Sequence, residues 1–78
     1  MDIDIEFLIK ILDENKGGLR IYDYLTERFH GRYTYDSYIL TTRNLILLDK
    51  NTEVFKTELS RISEVCWSRI DVNFEGWF

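Results

Sequence analysis

The sequence predicts an α+β fold, an N-terminal helical hairpin packed on a small antiparallel sheet of about four strands. Three observations carry that expectation. Apolar residues recur at helical spacing from Ile5 to Leu12 and again from Ile21 to Phe29. From Arg32 to Leu48 the chain turns to Tyr, Ile, Leu and Thr without a helical stripe. A cluster of turn formers, Asp49 to Thr52, then separates two runs of strand character.

In helix 1, Glu6, Lys10, Asp13 and Glu14 gather in one stripe. Ile5, Phe7, Leu8, Ile9, Ile11 and Leu12 cover the rest of the circumference. Asp2 or Asp4 serves as the N-cap. Asp13 and Glu14 stand where the helix dipole disfavours negative charge. Asn15, Lys16, Gly17 and Gly18 stop the helix, with glycine supplying a left-handed residue. Helix 2 is expected from Leu19 to Phe29, because Ile21, Tyr22, Leu25 and Phe29 share one face, and Gly31 closes it. The short connection makes the two helices an antiparallel hairpin. The apolar arc of helix 1 is wider than one contact covers, so it is held between helix 2 and the sheet or buried in a homodimer.

Strands are expected at Tyr33 to Thr41, at Asn44 to Leu48 and, as a hairpin partner, at Glu53 to Thr57. A single turn near Leu59 to Ser63 precedes a last strand from Val65 to Phe74. Tyr33 and Tyr35 share one strand parity and Tyr38 takes the other, so all three face inward only if a bulge intervenes near Asp36 and Ser37. The whole chain, residues 1–78, reads as one domain without linkers, since proline is absent and the glycines are few. A chain this short buries only about 60% of the surface exposed when unfolded. Its two Trp, five Tyr and five Phe compensate with large buried areas.

The stretch Tyr38-Ile-Leu-Thr-Thr-Arg-Asn-Leu-Ile-Leu-Leu, followed by Leu59-x-x-Ile62-x-x-Val65, resembles the central strands of bacterial pleckstrin-homology-like domains. The resemblance spans residues 38–65 and implies a scaffold used for peptide or lipid binding. Asn44 stands where that family often has a second basic residue, and the absence of a basic cluster weakens the lipid side of the implication. No functional residue carries over from it.

No catalytic, metal or cofactor motif is written in the chain. His30 is the only histidine, so no multi-histidine metal site exists, and a loop or cap role suits it better than catalysis. Cys66 is expected to be buried and chemically silent, with no basic neighbour closer in sequence than Arg69. Ser37, Ser60, Ser63 and Ser68 lack a nucleophile elbow, and Gly17-Gly18 lacks the spacing and Lys of a phosphate loop. Composition therefore points away from an enzyme.

The net charge of −4 sits entirely in the first fifteen residues, where Asp2, Asp4, Glu6, Asp13 and Glu14 face Lys10 alone. The remainder balances nine acids against nine bases. An acidic chain is a poor generic nucleic-acid binder, because such proteins draw affinity from Lys and Arg on phosphates. The acidic start is unlike a signal peptide, and no apolar run approaches the ~20 residues that span a bilayer. The unpaired cysteine favours a reducing, cytoplasmic location. These features imply a small acidic non-enzymatic protein-binding regulator, of inhibitor or adaptor type, with a basic protein partner. Its expected contact residues are Glu6, Asp13, Glu14, Tyr33, Tyr35 and Trp77. The alternatives are a winged-helix-like nucleic-acid-directed regulator and a pleckstrin-homology-like module.

Overall fold

The computed structural model describes residues 4–62 and the backbone of 68–69. One helix, α1 (Ile5–Glu14), is followed by strands β1 (Leu19–Asp23), β2 (Arg28–Tyr33), β3 (Ser37–Leu40), β4 (Asn44–Asp49) and β5 (Thr52–Glu58). A 3-10 turn (Leu59–Arg61) and a two-residue strand β6 (Ser68–Arg69) follow. The strands form two antiparallel sheets, in the orders β2-β1-β6 and β3-β4-β5. This is a small α+β protein, and no helix among the described residues is long and apolar enough to cross a membrane.

The expected helical hairpin is absent. Residues 19–33 form a β-hairpin in place of helix 2. Leu19, Ile21 and Asp23 are buried while Arg20 and Tyr22 between them are half-exposed, the period of a strand and not of a helix. Leu25 and Phe29, two members of the apparent helical stripe, are 56% and 52% exposed. Their spacing from Ile21 matched a helix by coincidence. The connection, Tyr24 to Glu27, contains no glycine and takes its one left-handed residue at Glu27 (φ 52°). Gly31 does not close a helix. It lies within β2 opposite Ile21, where the register shifts, with φ 147° and the Tyr33 ring packed over it. A side chain there would be strained.

Helix 1 forms as its pattern requires. Asp4 caps it, with the Phe7 N–H donating to Oδ1 at 3.2 Å. Its end differs from the expectation, because Asn15 caps it at φ −117° and Gly31 is the sole glycine with positive φ among the described residues. The Asn15 backbone N–H and Nδ2 both donate to Ile11 O, at 3.0 and 2.8 Å. Carbonyls of the last turn have no partner within a helix. Here one of them, Leu12 O, accepts from the Tyr35 hydroxyl at 2.9 Å.

The core gathers Leu8 and Leu12 of α1, Leu19 and Ile21 of β1, Tyr35, Leu45 and Leu47 of β4, and Leu59 and Ile62. Fully burying one such leucine contributes about 1.5–3 kcal/mol. α1 thus enters the core with a narrow strip, while Ile5, Phe7 and Ile9 stay substantially exposed.

The β4–β5 hairpin forms as expected, closing through Lys50 and Asn51 at φ 51° and 66°. Two left-handed residues in a two-residue loop match the right-handed twist of the strands. The strand expected over Tyr33 to Thr41 is split, with Thr34 to Asp36 outside the ladders, so its parity restarts at Ser37 and Tyr35 and Tyr38 both turn inward. The turn near Leu59 is present. Within the strand expected from Val65 to Phe74, Ser68–Arg69 are strand, and the rest, including Cys66, lies outside the described residues.

Candidate functional site

Two places concentrate unusual chemistry, a buried carboxylate at the junction of the sheets and an apolar groove beside α1. Asp23 ends β1 on the inward parity and is 1% exposed, the one buried charged residue among those described. Its Oδ1 accepts from the backbone N–H groups of Leu25 (2.8 Å) and Thr26 (3.1 Å), which shapes the β1–β2 turn. Its Oδ2 accepts from Arg61 Nη2 (2.7 Å), Arg61 Nε (3.1 Å) and His30 Nε2 (3.1 Å). Removal from water alone would raise the Asp23 pKa. The bonds from His30, Thr26, Arg61 and Leu25 outweigh it and hold the carboxyl well below the usual carboxylate range.

The Arg61 carbonyl accepts in turn from the Tyr24 N–H, and Asp23 and Ile62 form an isolated antiparallel bridge. The His30 ring meets Phe55 edge-on at 5.8 Å, and Tyr33 packs on Phe55 at 4.7 Å. His30 is therefore held by a carboxylate and an aromatic ring on a strand, not at a helix end. Every acceptor position of Asp23 is directed at a fold element, so the cluster locks the β1–β2 hairpin to the 3-10 turn that follows β5. Among the described residues no three His, Cys, Asp or Glu side chains come together as a metal site requires.

The second place is a groove of about 650 Å³ between α1 and β3, lined by Ile5 and Ile9 from the helix and by Tyr38, Leu40, Thr41 and Thr42. Ile5 and Ile9 fall on one helical face next to the buried strip of Leu8 and Leu12. Tyr38 and Leu40 pair with Leu47 and Leu45 and so share the inner face of their sheet. Ile5 is 41% and Ile9 37% exposed, so the walls are apolar and open to solvent. Asp13, one turn beyond Ile9, accepts from the Tyr38 hydroxyl at 2.7 Å and marks one end of the groove. Desolvation, together with that bond and the Asp13 charge, pushes the Tyr38 pKa up to about 12. Arg43 follows Thr42 at the other end.

The six expected contact residues are not brought together. Asp13 is exposed at one end of the groove, and Glu6 and Glu14 are exposed elsewhere on α1. Tyr33 is half-buried against Phe55. Tyr35 corrects the expectation most, because its ring is wholly in the core and its hydroxyl is spent on Leu12 O, so it offers a partner nothing. Trp77 lies outside the described residues.

Sequence reasoning did not place Ile5, Ile9, Tyr38, Leu40 or Asp23 among the contact residues. The signal for Asp23 was the alternation Leu19, Ile21, Asp23 followed by Thr26, an Asp placed to receive turn N–H groups. Compared with models of known protein families, with curated proteins and with solved structures, the chain matches none.

Proposed function

We propose that this chain is a small protein-binding regulator, of inhibitor or adaptor type, that works without catalysis and receives a basic partner in the groove between α1 and β3. The observation that carries the reading is an open apolar groove with Asp13 at one end, bonded to the Tyr38 hydroxyl of its wall, on the most acidic element of the chain. A solvated apolar surface gains free energy when covered, and acids on its rim accelerate the encounter with a basic surface. The resemblance of residues 38–65 to pleckstrin-homology-like domains also favours a peptide-binding scaffold. The winged-helix alternative loses its premise, since it needed two helices ahead of a hairpin and residues 19–33 are strands.

The test compares proteins that copurify with the tagged wild type and with Ile9→Glu, whose side chain is in the groove wall and outside the buried core. Partners depleted by the substitution support the proposal, and identical sets refute it. Against a recovered partner, Glu6→Gln, Asp13→Asn and Glu14→Gln combined should slow association and flatten its salt dependence, with a smaller effect on dissociation. An association rate unchanged at low and high salt would leave these acids as ordinary solvated surface.

A further inference from the structure

The sheet β3-β4-β5 ends at β3, and among the described residues no strand pairs with its outer edge. The register shows which backbone groups that edge presents. Thr41 N–H donates to Asn44 O at 2.9 Å, which makes Thr41 and Asn44 a bonded pair one step beyond Leu40 and Leu45. Bonded and non-bonded pairs alternate in an antiparallel ladder. Tyr38–Leu47 and Leu40–Leu45 are therefore non-bonded, and the N–H and C=O groups of Tyr38 and Leu40 point outward from the sheet. These two residues are also the strand wall of the apolar groove. Open backbone donors and acceptors thus run directly beside an apolar trough.

We propose that the edge of β3 takes an extended peptide segment of a partner as an added strand, with apolar side chains at the alternate positions that face the trough and a Lys or Arg at the trough-facing position nearest Asp13. The inference rests on the protein-binding reading above and assigns its ligand class. Main-chain bonds to Tyr38 and Leu40 supply affinity, and alternate side chains supply specificity. The residues flanking Tyr38 and Leu40 on the inner face lie in the trough against Ile5 and Ile9 and are apolar. The charge at the two ends sets direction. A Lys or Arg belongs at the Tyr38 end, where it meets Asp13, and no basic residue belongs at the Thr42 end, which Arg43 follows.

The experiment pans the whole chain against displayed octapeptides with apolar residues at alternate positions, either Lys/Arg or Asp/Glu at one terminal position of that same alternating set, and Ser or Thr between them. The best binder and its two forms N-methylated at alternate residues are then titrated. The basic set should be enriched. One N-methylated form should bind at least tenfold more weakly, since it lacks the donors that face β3, while the other is affected less. Exchange of the Tyr38 and Leu40 amide hydrogens should slow at least tenfold with peptide bound. Asp13→Asn, which keeps an acceptor for the Tyr38 hydroxyl, should weaken binding about threefold or more and reduce its salt dependence.

Absence of enrichment, enrichment of the acidic set, equal binding of both N-methylated forms, or protection elsewhere than β3 each overturns strand addition. A sedimenting dimer in which Tyr38 and Leu40 are already protected without peptide assigns the edge to a second copy and also overturns it. If Ile9→Glu still loses its copurifying partners in those cases, the protein-binding reading stands and only the mode fails.

Discussion

Asp23 gathers three separate stretches of chain on one carboxylate, and its low pKa makes it a source of acid sensitivity. The group is more acidic in the folded chain than its ordinary value of 3.8. Below that value the unfolded chain binds a proton that the folded chain resists, so stability rises with pH there. The contribution is fully present above about pH 4 and is lost as the solution is acidified further toward the folded value. Asp23→Asn should remove most of this acid limb. It should also lower Tm at neutral pH, by more than about 10 °C, because Arg61 and His30 lose a charged acceptor. Urea unfolding of both proteins from pH 2.5 to 7 checks this, and parallel acid limbs would contradict it. Tyr35 is the neutral counterpart. Tyr35→Phe leaves Leu12 O buried without its donor, and an unsatisfied buried group costs about 1–3 kcal/mol.

At the scale of elements, α1 is held by a narrower strip than its composition suggests. Leu8 is 1% exposed, whereas Ile9 beside it in sequence lines the open groove. Leu8→Ala should therefore cost about 2–5 kcal/mol and Ile9→Ala under about 1 kcal/mol, as read by chemical denaturation. Comparable losses at both sites would mean that the groove is closed in solution. The β4–β5 loop is the converse case, since Lys50 and Asn51 both occupy left-handed conformations that side chains disfavour. Replacing them with the pair that suits such a loop, Lys50→Asn with Asn51→Gly, should stabilise the domain by about 1 kcal/mol.

That hairpin was legible because turn-forming residues stood between two runs of strand character, and α1 was legible from its cap and its apolar face. The β1–β2 hairpin was not. Its connection carries no glycine, and Ile21, Leu25 and Phe29 happen to repeat every fourth residue, so a helical period masked the alternation of Leu19, Ile21 and Asp23. The strand is held by pairing with β2 and, at Asp23, by bonds from Arg61, a residue 38 positions away, and local pattern does not reveal contacts of that kind. The groove was half legible, because the wide apolar arc of α1 exceeded one contact, but the strand it faces depends on tertiary placement.

For the molecule as a whole, the long separation between Asp23 and Arg61 bears on the order of assembly. β3, β4 and β5 are a meander of neighbours with short connections, and such contacts close early at little entropic cost. The carboxylate lock must wait until the β1–β2 turn and the 3-10 turn after β5 have both been delivered. It belongs after the rate-limiting barrier. Asp23→Asn should therefore act as an unfolding-rate variant. In stopped-flow chevrons its unfolding limb should rise by nearly the full equilibrium loss while the refolding limb stays within about twofold of wild type. The Asp23 cluster would then act as a latch on lifetime, setting how long the folded chain persists between openings and having little influence on how quickly it is reached.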